Sequence, residues 1–129
     1  MKTTEKQIND TVQESESPVL EEQEDGIVRL KLNRPEQFNS LSEAMLETLQ
    51  GKLDAIAENE DARLIILQGS GKAFCAGHDL KEMIATRKES YYKSLFQQCS
   101  SMMMTLNKIP QPVIAVSYTH LTLPTILLV

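Results

Sequence analysis

Aromatic side chains are scarce in this 129-residue chain, at 5% with no tryptophan, so aliphatic residues and methionine must fill its core. Cysteine is scarce too: Cys75 and Cys99 make no disulfide framework and are expected to be reduced, intracellular thiols. No apolar run approaches the length of a membrane span, and the N-terminus lacks the apolar segment of a secretory signal. The first 25 residues contain no arginine, which a mitochondrial presequence would need, so a cytoplasmic protein is expected. Positive charge is nowhere in excess. The formal net charge is -5, with eight acids against two lysines in residues 1–25 and a nearly neutral remainder. Such a body has no basic face to replace phosphate counterions, so neither nucleic acid nor membrane is an expected partner. The length leaves room for one domain, and 41% hydrophobic residues suffice for a core.

What is present is organised around Leu64 to Met83, LIILQGSGKAFCAGHDLKEM. Leu64, Ile65, Ile66 and Leu67 run without polar alternation, which suits a strand buried on both faces in a helix-covered parallel sheet. Gly69, Gly71 and Gly77 punctuate the loop that follows, where glycine permits positive φ and close approach of a ligand to the backbone. Asp79 to Thr86 has helix-forming composition, placing the N–H groups of His78, Asp79 and Leu80 near a helix start that favours an anionic oxygen.

Residues 1–23 are polar and acidic and are expected to stay mobile or drape over the surface, a docking role for EEQED being the alternative. Val28, Leu30 and Leu32 then alternate with Arg29 and Lys31 as a strand with one inward face. Arg34, in the turn that ends it, suits either a ligand phosphate or plain surface exposure. Ser40 and Glu43 have capping-box spacing, and Met45, Leu46, Leu49, Leu53 and Ile56 recur at helical intervals, with Gly51 on the polar side. Strand, helix and strand in that order imply a right-handed crossover. Tyr92, Leu95, Phe96, Cys99, Met102, Met103 and Leu106 give a second helical stripe, in which the methionines read as core filler. Pro110 and Pro112 end it, and Val113 to Val116 begins a strand.

AFCAGHDLKEM resembles the signature segment of the crotonase (enoyl-CoA hydratase/isomerase) family, and LNRPEQFNSLSEAML, Leu32 to Leu46, resembles that family's earlier segment. The two stand in the family's order and at its spacing. With the histidine of AGHDLKEM, YYKSLFQQCSSMMM and PQPVIAV, the chain is most similar to the subgroup called enoyl-CoA hydratase domain-containing proteins. The resemblance runs from Gly26 to Ala115. It implies an α/β fold, with residues 24–116 forming the N-terminal portion of a crotonase-like domain of repeated ββα units, and a parent protein that is a homotrimer or hexamer. Residues 117–129 depart from the family pattern, and no glycine occurs after Gly77, so this tail is expected to be foreign or frameshifted, with a native divergent strand as the alternative.

The resemblance further implies an acyl-CoA thioester as partner, with coenzyme A part of the substrate and no other cofactor. The family holds the thioester oxygen with two backbone N–H groups as enolate charge develops on it, and losing one such donor typically costs about 3 to 4 kcal/mol of barrier. Carried over by position, the first donor is the N–H of His78, after Gly77, where a side chain would obstruct the thioester. Ala76, Asp79 and Leu80, with Gln37 and Phe38, are implicated in holding coenzyme A, and Lys81 in meeting a CoA phosphate. The second donor and the family's two acid/base glutamates belong beyond the divergence, so the 129-residue chain is expected to be inactive. A noncatalytic acyl-CoA-binding or assembly module is the alternative.

The side chains themselves speak less clearly. The imidazole of His78 titrates nearest neutrality, but the matched function belongs to its backbone. Cys75 could pair with it as a thiolate, although a buried structural thiol is the preferred reading. GSGKAF lacks the third glycine of a dinucleotide fingerprint and the spacing of a P-loop. The histidines and cysteines have no zinc spacing, so no metal site is expected.

Overall fold

A computed structural model describes residues 16–117; the expected tail over residues 1–15 and the atypical stretch 118–129 lie outside them. The alternation of Val28, Leu30 and Leu32 produces strand β2, Ile27–Leu32, with those three side chains buried on one face. Its antiparallel partner corrects the sequence reading. Residues 19–23, which composition assigns to the acidic tail, instead form most of β1, Val19–Glu24, in register from Val19↔Leu32 to Glu24↔Ile27. Asp25 (φ 52°) and Gly26 (φ 81°) make the two-residue turn whose twist matches the paired strands. Val19 is buried against the core, while Glu21, Glu22 and Glu24 lie exposed on the open edge, where carboxylates stay hydrated.

Arg34 serves this hairpin. Its guanidinium donates to the carbonyls of Glu16 (2.6 Å), Ser17 (3.3 Å) and Asn33 (2.7 Å), so the structure uses it to hold the chain entering β1 and not as a phosphate ligand.

Strand β3, Leu64–Gly69, pairs parallel with β2, and β4, Val113–Val116, pairs parallel with β3, giving the order β1-β2-β3-β4. Helix α1, Glu43–Ala57, crosses from β2 to β3 and buries Met45, Leu46, Leu49, Leu53 and Ile56, the stripe that the helical period predicts. Its cap differs from the expected one: Ser42, not Ser40, accepts the Met45 N–H, at 3.1 Å. A short helix α2, Leu80–Ala85, and a long helix α3, Glu89–Lys108, connect β3 to β4.

Helix α3 packs against α1, with Leu95 and Met102 buried. Met103 and Met104 are exposed, which corrects the expectation of a methionine core. Successive helical residues are about 100° apart, so three in a row cannot share one face.

Among the described residues the helices cover one sheet face only. Val28, Leu30, Leu32, Ile65 and Leu67 share that face, whereas Leu64, Ile66 and Val116 on the other are half-buried and Ile114 is 50% exposed. β3 is therefore buried on one face and only partly screened on the other, unlike the doubly covered strand that its composition suggests.

Candidate functional site

The site begins with a buried asparagine that the sequence analysis passes over. After β2 the chain makes a 3-10 turn, Pro35–Gln37, followed by Phe38 (φ 52°) and Asn39 (φ 53°) in left-handed conformation. Asn39 is fully buried, and its amide joins two loops: Oδ1 accepts the Arg34 N–H (2.8 Å), and Nδ2 donates to the carbonyls of Ser70 (2.9 Å) and Ala73 (2.8 Å). Asparagine tolerates the left-handed region because its short polar side chain bonds locally. At Gly71 (φ 80°) the two loops approach so closely that an added Cβ would lie 2.8 Å from the Cβ of Pro35.

Held together in this way, the segments pair through their backbones. The Ala76 N–H donates to the Phe38 carbonyl (3.0 Å), the Leu41 N–H to the Gly77 carbonyl (2.7 Å) and the Asp79 N–H to the Leu41 carbonyl (3.4 Å). These bonds make a parallel bridge between Leu41 and His78. In such a bridge the central residue of one strand uses both of its polar groups, while those of the residue opposite turn to the other side. Leu41 is the residue so used. Among the described residues the N–H groups of Gly77, His78 and Leu80 have no acceptor.

A cleft of about 330 Å³ lies here. It is lined by Gln37, Phe38, Ala76, His78, Asp79, Leu80 and Lys81, all expected from sequence to meet the ligand, by Glu36, and by Ser40, which the sequence offers only as a helix cap. Gly77 adopts φ 91°, and a Cβ built on it would enter open space, so backbone conformation and not crowding within the chain demands glycine.

Two expectations are corrected. The Asp79 N–H, expected free near a helix start, is committed within the protein, as is the N–H of Ala76. Helix α2 starts at Leu80 and has only six residues, so its dipole adds little at His78; the bridge sets the direction of that N–H. The Asp79 carboxylate is also committed, capping α2 by accepting the N–H groups of Lys81 (3.1 Å) and Glu82 (3.2 Å). Lys81 is exposed at the cleft.

The His78 ring stands edge-on to Phe96 of α3, with centroids 5.2 Å apart, and its Nδ1 is buried without a partner among the described residues. Cys75 packs against the core as a free, half-buried thiol. Burial, and then the neighbouring Cys75, push the Cys99 thiol above its ordinary value, which keeps it protonated. Among the described residues no group of three or more His, Cys, Asp or Glu is placed to hold a metal ion, and no helix is long and apolar enough to cross a membrane.

Helix α2 buries none of its residues fully and is pinned by polar contacts. Glu82 Oε1 accepts the Glu43 N–H (2.8 Å) and the Tyr91 hydroxyl (3.2 Å), and the Tyr92 hydroxyl donates to the Met83 carbonyl (3.1 Å). Desolvation, and then the Glu82 and Glu43 carboxylates, raise the Tyr91 phenol above its ordinary value, so it remains a donor.

A β-hairpin followed by parallel strands and crossover helices is the architecture of the crotonase class of α/β folds. The enoyl-CoA hydratase/isomerase family matches residues 27–118, and the chain belongs to that family. It is 40% identical over 93 residues to enoyl-CoA hydratase domain-containing protein 3, mitochondrial, of Rattus norvegicus, a match covering 72% of this chain and 31% of that protein. It is 31% identical over 106 residues to 1,2-epoxyphenylacetyl-CoA isomerase of Escherichia coli (strain K12), covering 74% of this chain and 38% of that one. The crystal structure of an enoyl-CoA hydratase from Mycobacterium smegmatis superimposes with a TM-score of 0.76 at 50% identity, over 78% of this chain and 39% of that one. The chain thus spans about a third of the length of these relatives.

The mitochondrial name of the rat relative overturns the expectation of a cytoplasmic protein. That expectation rested on the composition of residues 1–25, which lie before the family match at residue 27 and carry no information about the family's location.

Proposed function

We propose that this chain forms the thioester-binding face of a crotonase-family enzyme, of hydratase or isomerase type, that acts on acyl-CoA. The observation that carries the reading is the backbone N–H of His78, unpaired among the described residues, in a residue that lines the cleft. There it donates to the thioester oxygen and stabilises the charge that gathers on it when the α-carbon is deprotonated or attacked. The donor is fixed in place before substrate arrives, so little reorganisation accompanies the reaction. Gln37, Phe38, Ala76 and Leu80 line the path of the pantetheine and adenine, the Ala76 contribution coming through groups other than its committed N–H. Lys81 meets a CoA phosphate, as a flexible ammonium on the rim can. One donor is half of an oxyanion hole, and of the two carboxylates that line the cleft, Glu36 and Asp79, the second is committed to capping α2, so the 129 residues bind thioester without turning it over.

Calorimetric titration with acetyl-CoA and with CoA tests this, because only acetyl-CoA carries the oxygen. The expected result is acetyl-CoA binding about tenfold tighter than CoA, as one hydrogen bond in a sheltered cleft supplies. His78→Ala, which keeps the backbone N–H, should retain that preference to within about twofold. Equal affinities for the two ligands in the unmutated protein would refute the reading.

A further inference from the structure

The His78 N–H is directed by one short bridge, and one side of that bridge is weak: the Asp79 N–H reaches the Leu41 carbonyl at 3.4 Å, near the limit of a hydrogen bond. The segment that follows is lightly held, with Met83 packing half-buried against the core. Helix α2 has six residues, too few to be stable by its own backbone bonds, and no fully buried side chain. The cap by Asp79 is internal to the segment and cannot fix it relative to the sheet.

Glu82 supplies that fixing. Its Oε1 crosses to the Glu43 N–H at 2.8 Å, the first N–H of α1, which has no partner within that helix. Helix α1 is itself anchored by five buried apolar side chains, so it is a rigid reference. The same oxygen accepts the Tyr91 hydroxyl from α3 at 3.2 Å, and the Tyr92 hydroxyl holds the Met83 carbonyl beside it. From His78 onward the two segments are therefore cross-linked by the bridge and, two residues on in one and four in the other, by Glu82 to Glu43. The His78 peptide lies at one end of this bracket.

We infer that Glu82 is a positioning residue: by tying α2 to the start of α1 it holds the His78 N–H in the direction required by a thioester oxygen. The inference rests on the acyl-CoA reading above. Glu82 does not touch the ligand; it limits how far the peptide beside the ligand can rotate. A carboxylate suits the task because one oxygen accepts two donors at charge-assisted strength.

The test compares Glu82→Ala and Glu82→Gln with the unmutated chain, using acetyl-CoA and CoA in calorimetry and hydrogen–deuterium exchange of the ligand-free proteins. In Glu82→Ala the preference for acetyl-CoA over CoA should fall about tenfold while CoA affinity stays within about twofold. Exchange should accelerate in residues 76–85 and not in β3. Glu82→Gln, whose amide oxygen still accepts from both donors, should recover most of the preference. An unchanged preference in Glu82→Ala would overturn the inference. So would equal losses for acetyl-CoA and CoA with faster exchange through β2 and β3, the mark of a merely structural residue. If the unmutated chain fails to distinguish acetyl-CoA from CoA, the acyl-CoA reading itself fails and this inference goes with it, a result separable from the other two.

Discussion

Asn39 shows how one side chain can organise a site without facing a ligand. It has no accessible surface, and the three hydrogen bonds of its side chain end on backbone groups of two different loops. Asn39→Ala leaves a buried N–H and two carbonyls without partners, so it should lower unfolding free energy by about 2 to 4 kcal/mol in urea titration, several times a surface change. Sequence reading reached the neighbouring Gln37 and Phe38 but not Asn39, because asparagine in a turn is common and its burial depends on a loop more than thirty residues away. The misassigned cap at Ser40 has the same origin, and so does the role of Arg34 that the sequence left open, since spacing names a residue type and only tertiary geometry chooses the partner. A second residue-scale consequence concerns pH. The folded chain holds the Cys99 proton more tightly than the unfolded chain does, so stability should fall as pH rises through the ordinary thiol range, from about 8.5 upward. Melting temperatures measured between about pH 8 and 9.5, below the phenol range, should decline in the parent and decline less in Cys99→Ala.

Among elements, those with a strong period were legible and those defined by pairing were not. Helix α1 could be read because five apolar residues recur on one side of fifteen, and that face is buried as its spacing requires. Strand β1 could not, since Glu21, Glu22 and Glu24 carry the composition of a solvated tail. Its one local signal was Asp25-Gly26, a dipeptide suited to a tight hairpin turn, and the strand gains stability by pairing with β2 rather than from its own composition. The cap of α1 offers a direct check: Ser42→Ala should cost about 1 kcal/mol and Ser40→Ala less than about 0.5, read by chemical denaturation. The reverse order would restore the capping box that spacing alone suggests.

At the scale of the molecule, the helices among the described residues cover one side of the sheet. Leu64, Ile66, Ile114 and Val116 form an apolar strip on the other side, and β4 lies at the end of the strand order among the described residues. Exposed apolar area next to an unpaired strand edge favours association. Sedimentation velocity over a concentration series should show self-association, and Ile114→Lys should reduce it. A monodisperse monomer at all concentrations, with a sharp cooperative melt, would contradict this.

The backbone parity of the Leu41–His78 bridge carries one last consequence. Peptide groups along an extended segment face alternate ways, so the side on which a donor emerges depends on counting residues and hardly at all on their identity. Exchanging one side chain for another at position 78 leaves the count intact. Adding or deleting a single residue between Gly71 and Gly77 turns the wrong amide outward, and a functional family built this way should tolerate spelling changes in that loop far better than changes in its length.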